Sequence, residues 1–490
     1  MFELQSLIKT TIKCEVEKVK RLFGGYKPKM RKKDTKRGKG IKRKNQTMFQ
    51  CPYCFREVWS DEVAFRAMTV YTQQDLETFS LEEREKKTPY LMIKDELYES
   101  FWNRYPGSKP EDEYERYPVL SLCDHRYLTN DKFYNGAELI FQTDVEGFMN
   151  EVIDTEGCSS TVRICPHCHN RLPFEFGKYP VKFIAVVGIT SSGKTIYLSQ
   201  MLKKIREFLF QVDMTVAGIC PEVDEFVREH TIQKGKELPI GNAADALTKP
   251  ISINVKNNQT GERTTLVFYD IAGENCVNPD QMNKYGPFIK NADGMIMIID
   301  PKQFSDLLFL NKEEEKELEE AYHPEQVAQA MYQAFAAADY YGGECPIPLA
   351  IAISKSDLLH SCKYVDENSN IFQDIDYSSY HEYGFPYDDC LNIDAEVRTL
   401  LKQRTEKGRL LDQFLSNFFP EHAYFAFSAL NGEPALVTKT EDCVRYQMEM
   451  LPKTVRIEES LYWLLYKMGM IQEAQKAEQG NHSFSSRWRR

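Results

Sequence analysis

The stretch Val181-Lys-Phe-Ile-Ala-Val-Val187-Gly188-Ile-Thr-Ser-Ser-Gly193-Lys194-Thr195 decides how this chain is read. Residues 181–187 form an apolar run of strand length, the pattern of a strand buried on both faces. A Gly-x-x-x-x-Gly-Lys-Thr sequence follows, and a helix is predicted from Lys194 to about Phe210. The two glycines permit a tight loop and close backbone approach. Backbone N–H groups from Ser191, Ser192, Gly193 and Lys194 can then surround phosphate oxygens, aided by the helix N-terminus. Lys194 would reach the β- and γ-phosphates, and the Thr195 hydroxyl would bind Mg²⁺. A glycine-rich turn without a ligand is the competing reading, which the strand before and the helix after the loop disfavour.

Three downstream segments bear on which nucleotide this would be. Leu266-Val-Phe-Tyr-Asp270-Ile-Ala-Gly273 reads as a strand ending in an acid, then a glycine three residues on. Asp270 can hold Mg²⁺ through water, and the Gly273 N–H can sense a γ-phosphate; capping a turn is its bland alternative. Leu349-Ala-Ile-Ala-Ile-Ser354-Lys355-Ser356-Asp357 is a second buried strand with a polar end. It resembles the Asn/Thr-Lys-x-Asp motif that reads guanine, which implies that Asp357 accepts from the guanine N1–H and exocyclic amine, a pair adenine cannot supply, while the Lys355 stem packs over the base. Ser354 stands where Asn or Thr is usual, so local bracing is expected to be weaker. Phe427-Ser428-Ala429-Leu430 follows the run Ala423–Ser428, which is expected to be the last strand. It resembles the fifth motif of GTPases, which implies that a backbone N–H near Ala429 would meet the guanine O6.

From Val181 onward, strands alternate with helices, which implies an α/β layer architecture. Ile251–Lys256 and Thr264–Asp270 flank the turn-rich Asn257-Asn-Gln-Thr-Gly261, so they are expected to pair antiparallel in an otherwise mostly parallel sheet. Gly294–Asp300 is a further strand. Ile457–Met470 carries Leu461, Leu464, Leu465 and Met468 at helical spacing and is expected to pack on the sheet. A threonine completing the Mg²⁺ shell is sought before the second strand; Thr248 is preferred to Thr231. Glu274 occupies the position after Gly273 where Gln orients the attacking water in Ras-like enzymes. Its charge near a phosphate implies that hydrolysis is slow or needs a partner. Arg263 and Lys249 are available as transition-state cations, but nothing singles them out.

Upstream, Cys51-Pro-Tyr-Cys54 and Cys165-Pro-His-Cys168 each place two thiolates for one tetrahedral ion. Their separation exceeds the spacing usual for a four-cysteine site. The segment between them is therefore read as an α+β insertion in a split zinc ribbon, with structural Zn²⁺ bound by Cys51, Cys54, Cys165 and Cys168. Cys123, His125, Cys158, His167 and His169 are competing ligands. A thioredoxin-like redox pair is the other reading, without a βαβ pattern around it.

The chain has 490 residues, so two or three domains are expected. The division read from composition is 1–47, an amphipathic helix and basic linker; 48–177, the split ribbon; 178–473, the α/β domain; and 474–490, a disordered tail. The net charge of -11 argues against a general nucleic-acid binder. Between Lys9 and Lys44, however, sixteen Lys or Arg face three acids. That arm is suited to an acidic surface, with a solvated linker as the plainer reading. No apolar run approaches the roughly 20 residues a membrane span needs. The odd count of 13 cysteines, without a secretory signal, suggests reduced thiols and a cytoplasmic setting.

Taken in order, the phosphate loop, Asp270-x-Ala-Gly273, Ser354-Lys-Ser-Asp357 and Ser428-Ala429 resemble the motifs of a TRAFAC-class P-loop GTPase over about residues 180–470. More narrowly, Cys51-Pro-Tyr-Cys54-Phe, Val63-Ala-Phe-Arg66, Cys165-Pro-His-Cys168, Asp270-Ile-Ala-Gly-Glu274 and Trp463-Leu-Leu-Tyr-Lys-Met-Gly469 resemble the zinc-ribbon-bearing bacterial double-GTPase type 2 family. The resemblance implies a GTP/GDP-binding switch with Mg²⁺ and structural Zn²⁺. It also implies a prokaryotic conflict or defence setting, with protein partners that include a second GTPase. An ATP-dependent P-loop enzyme and a non-hydrolysing adaptor acting through its zinc ribbon are the alternatives.

Overall fold

In the computed structural model, residues 47–474 are described, apart from 106, 123, 125, 131–137, 189–191, 240–246, 248, 273–274, 276, 278, 305, 309–322, 337–342, 378–379, 381–382 and 440–443. The helix and basic arm expected over 1–47, and the tail over 474–490, lie outside the described residues save Thr47 and Ala474.

β1 (Val181–Gly188) sits in the middle of a seven-stranded sheet with β2 (Met214–Ile219), β3 (Ile251–Asn257), β4 (Arg263–Ala272), β5 (Gly294–Ile299), β6 (Leu349–Ile353) and β7 (His422–Ala426), in the order β2-β3-β4-β1-β5-β6-β7. β3 pairs antiparallel with both β2 and β4; the other four pairings are parallel. One strand therefore opposes the rest. The hairpin turn follows from Asn257, whose Oδ1 accepts from Gln259 N at 2.8 Å and Thr260 N at 2.9 Å, and from Gly261 at φ 76°. Strand β2 escaped the sequence reading because it lies at the edge and only Met214 and Val216 of it are buried. β5 and β6 are buried throughout, which requires cover on both faces.

The helix expected from Lys194 to Phe210 is two, α1 (Lys194–Lys203) and α2 (Ile205–Gln211), broken at Lys204. α3 (Pro279–Lys290) follows β4, and α4 (Glu459–Lys467) packs on β5 and β6. Leu464 of α4 lies 3.1 Å from where a Cβ on Gly294 would stand, so that glycine permits the close approach. The expectation that Ala423–Ser428 is the last strand is corrected. β7 ends at Ala426, and a hairpin of β8 (Ala435–Lys439) and β9 (Val444–Gln447) follows it. Its Leu436, Val437 and Tyr446 are exposed, so it lacks the buried alternation that marks a strand in sequence.

After the hairpin the chain returns to the sheet. Val455 and Ser428 exchange backbone hydrogen bonds at 2.8 and 3.0 Å. Next to them, the buried Arg456 guanidinium forks onto Glu459 at 2.9 and 2.6 Å, pairs with Asp389 and donates to the Gln373 carbonyl at 2.9 Å. Glu459 is fully buried, so Arg456→Ala would strand a carboxylate in the interior, at a cost of about 3–5 kcal/mol. We expect this variant to melt several degrees below the parent in a thermal scan; an unchanged midpoint would show that the network contributes nothing net.

Before β1, the hairpin Met48–Gln50/Glu57–Trp59 carries the first cysteine pair between its strands. Ala64–Arg66 pairs with both Val119–Leu120 and Arg163–Ile164, delivering the second pair beside the first. Among the described residues, three short α-helices, the 3-10 turn Thr88–Tyr90 and a meander, Ile140–Thr143/Met149–Ile153/Ser159–Ser160, lie between. One contiguous apolar core runs from Phe49 to Ile471.

Candidate nucleotide site and four-cysteine centre

Gly188 ends β1 where a side chain would not fit: its Cβ would stand 2.6 Å from the Ile298 carbonyl and 2.7 Å from Ser192 Oγ. Gly193 takes φ 87° as the residue capping α1, a conformation that favours glycine. Ser192 is buried, and Lys194 and Thr195 open the helix. Asp270 lies opposite Val186 in the neighbouring strand, and Thr195 Oγ1 donates to its Oδ2 at 3.0 Å. The hydroxyl and carboxylate named from sequence as Mg²⁺ ligands are thus brought into contact. Ser191, Thr248, Gly273 and Glu274 lie outside the described residues.

The second cluster forms at the ends of β6 and β7. Ser354 donates from both N and Oγ to the Ile299 carbonyl, at 2.9 and 3.1 Å. The serine hydroxyl therefore braces the loop directly to β5, where weaker bracing was expected. Lys355 is left-handed at φ 51°, and its Nζ pairs with Asp300 Oδ2. Asp357 Oδ1 accepts from Ser428 Oγ at 2.5 Å, and Ser428 Oγ accepts from Asn431 N at 2.8 Å. Ala429 is buried beside them. The two stretches singled out for guanine, far apart in sequence, are thus joined side chain to side chain. Both clusters lie at the carboxyl ends of parallel strands, where ligands of open α/β sheets bind.

Asp300 was missed as a site residue. It ends β5, takes Lys355, and accepts from Lys302 N at 2.9 Å. The signal was present, since an acid closing a buried parallel strand faces the same crevice. Of the weaker candidates, Thr231 Oγ1 donates to the Val227 carbonyl, Lys249 lies 3.6 Å from Glu225, and Arg263 donates to Tyr179 Oη at 2.6 Å.

Cys51, Cys54, Cys165 and Cys168 place all four sulfurs within 4.8 Å of one another. Cys51 and Cys168 are 3.7 Å apart, and Cys54 and Cys165 3.8 Å. A tetrahedral ion at about 2.3 Å from each sulfur sets edges of about 3.8 Å, so the donors fit zinc. The two knuckles repeat one geometry. Phe55 N donates to Cys51 O and His169 N to Cys165 O; Phe55 and His169 both take φ 54°. Burial first, then the neighbouring sulfurs, push the Cys51 and Cys165 thiols well above their ordinary range, while hydrogen bonds from the other three pull Cys54 down. Such crowding is relieved by a divalent cation that lets all four ionise.

The competing histidines turn elsewhere. His169 Nδ1 meets Asp95 at 2.7 Å, which also takes Arg66 at 2.7 Å, and His167 Nε2 lies 3.3 Å from the Glu57 carbonyl. Cys158 is exposed and outside the cluster, and Cys123 and His125 lie outside the described residues.

No curated protein matches the chain. Three solved structures are similar to it in part. A GTP-binding protein from the hyperthermophilic archaeon Sulfolobus solfataricus, in complex with GDP, shares 13% identity over 59% of this chain and 53% of its own, with a TM-score of 0.25. The Ski7 GTPase-like domain of S. cerevisiae, bound to GTP, shares 14% over 60% and 51%, at 0.25. The elongation factor SelB from Methanococcus maripaludis, with GppNHp, shares 13% over 51% and 30%, at 0.19. The chain spans about half the length of the first two. Among the described residues, no helix is long and apolar enough to cross a membrane. The Double-GTPase 2 family model matches residues 182–382, a span that takes in Lys194, Asp270 and Asp357 and leaves out both cysteine knuckles and Ser428. Over that span the chain resembles the Double-GTPase 2 family.

Proposed function

We propose that this chain is a GTP-binding switch that hydrolyses its nucleotide slowly or on contact with a partner. The observation that carries the reading is the bond between Asp357 and Ser428, which assembles a base-recognition corner on the sheet that carries the phosphate-binding loop. The Double-GTPase 2 match over residues 182–382 supports it. Gly188, Ser191, Ser192, Gly193 and Lys194 surround the phosphates, with Lys194 on the β- and γ-oxygens. Thr195, Asp270 and Thr248 are the proposed Mg²⁺ ligands. When bound, Mg²⁺ neutralises the charge that develops on the transferred phosphoryl group. Gly273 and Glu274 face the γ-phosphate, and Glu274 in place of glutamine makes water activation inefficient. Ser354, Lys355, Asp357, Ser428 and Ala429 hold guanine.

Residues 48–177 form a split zinc ribbon and 178–473 the GTPase domain in this proposal, with zinc structural rather than catalytic. A cytoplasmic, prokaryotic conflict setting with a second GTPase completes it, as the family resemblance implies; the basic arm 1–47 offers a contact for an acidic partner surface. The test is competition of unlabelled GTP and ATP against labelled GTP on the purified chain with Mg²⁺. Guanine recognition through two charge-assisted hydrogen bonds predicts at least about a hundredfold preference for GTP. Equal competition by ATP would overturn the guanine assignment and leave an ATP-dependent P-loop enzyme.

A further inference from the structure

The four-cysteine centre does not stand apart from the nucleotide site. Tyr269 is the residue before Asp270 in β4, and successive side chains of a strand point to opposite faces. Asp270 turns to Thr195, while Tyr269 turns to the first knuckle, where its hydroxyl donates to the Pro52 carbonyl at 2.7 Å. Pro52 lies between two of the metal-binding cysteines. Phe55, the left-handed residue that closes the same knuckle, packs on Tyr269 at 5.9 Å and Phe183 at 5.5 Å. The knuckle thus grips β4 directly behind the proposed Mg²⁺ carboxylate.

The same module also grips α3. On α3, Phe288 meets Phe55 edge to face at 5.0 Å and Tyr269 at 4.9 Å. Tyr285 meets Tyr105 at 6.0 Å, and Tyr105 Oη donates to the Lys284 carbonyl at 3.1 Å. Tyr105 follows the helix Glu96–Trp102, its N–H donating to the Trp102 carbonyl at 2.8 Å, and Trp102 Nε1 donates to Asn170 Oδ1 at 2.8 Å, two residues past Cys168. Tyr269 on β4 and the aromatic face of α3 therefore both rest on side chains whose positions depend on the two knuckles. Cys51–Phe55 and Cys165–His169 hold their turns about four sulfurs, so the centre sets where those side chains stand.

We propose that the four-cysteine centre positions Asp270 and α3, so that metal occupancy of the ribbon and nucleotide occupancy of the phosphate loop are linked through Tyr269, with Tyr105 holding α3. Tyr269 is a positioning residue here: it touches neither ligand. The proposal rests on the nucleotide reading above. Linkage between binding sites is reciprocal, so nucleotide changes the affinity for metal by the factor with which metal changes the affinity for nucleotide.

The test uses the full zinc-loaded chain. Apparent zinc affinity is measured against a competing chromophoric chelator, at constant Mg²⁺, with and without a non-hydrolysable GTP analogue. Binding of a fluorescent form of that analogue is followed in parallel. The expected result is at least about a fivefold shift in zinc affinity on nucleotide binding, the lower end of ordinary couplings. In Tyr269→Phe the chain should still bind each ligand alone while the shift falls towards onefold. Tyr105→Phe, which keeps the ring and removes only the bond to Lys284, should reduce the shift in part and serves if the first variant does not fold. A parent chain that binds both ligands with no shift overturns the linkage, and an undiminished shift in both variants overturns the route. Failure of the analogue to bind zinc-loaded protein removes the nucleotide reading itself, and the linkage with it.

Discussion

Lys194→Ala is expected to weaken GTP binding by at least about thirtyfold and to abolish measurable turnover, without lowering the melting temperature. Lys194 opens α1 directly after the left-handed Gly193 and is only partly buried, so it is not a core side chain. Truncating one partner of a desolvated, hydrogen-bonded charge pair costs about 2–5 kcal/mol, and each 1.4 kcal/mol is tenfold in affinity. Hydrolysis loses more, because the charge that Lys194 balances grows in the transition state. Stability should hold. Among the described residues Lys194 forms no ion pair, and alanine is the better helix former. Labelled-nucleotide titration, single-turnover hydrolysis and a thermal scan separate these effects. Parent-like affinity and turnover would remove the phosphate site.

Asp357→Asn is expected to lower GTP affinity by at least about thirtyfold and to raise xanthosine triphosphate above GTP. The carboxylate presents two acceptors to the guanine N1–H and amine; asparagine replaces one with a donor that faces a donor. Xanthine carries a carbonyl where guanine carries the amine and so fits the reversed pair. Hydrogen bonds to charged groups contribute about 1.5–3 kcal/mol each, and losing the better part of one suffices for the stated factor. The structure makes this variant informative, because Ser428 Oγ donates to Asp357 Oδ1, a bond an amide oxygen also accepts. The corner should stay assembled while its base preference reverses. Equilibrium competition between GTP and the xanthosine nucleotide is the measurement; an unchanged preference for GTP would take Asp357 out of base recognition.

The strand ending at Gly188 and the helix opening at Lys194 were legible from residues 181–195 because their signals are local. A buried strand, two glycines and a helix start lie within one turn of chain, and each constrains its neighbours. The hairpin β3–β4 was legible for the same reason, through Asn257 and Gly261. The strand and helix texture from Val181 announced an α/β sheet, since buried parallel strands read as unbroken apolar runs. What stayed hidden was short, edge-lying or split. β2 buries only Met214 and Val216, and β8–β9 exposes Leu436, Val437 and Tyr446, so neither carried a clear period.

The cysteine pairs mark a middle case. Each Cys-Pro-aromatic-Cys turn was visible, but 111 residues separate Cys54 from Cys165, and the competing His169 could be set aside only once Asp95 was seen to hold it. No local rule says that Arg66 and Asp95 will occupy that histidine.

The sequence by itself therefore determined the identity of the chemical groups: which loop can cradle phosphate, which acids and thiols can hold ions, and which strands are buried. The tertiary structure alone decided their pairings. Asp357 with Ser428, Asp300 with Lys355, and Tyr269 with Pro52 are separated by 71, 55 and 217 positions. Such contacts arise from the order in which strands add to a sheet and from the face each side chain takes, and that order is a property of the whole packed core rather than of any local stretch.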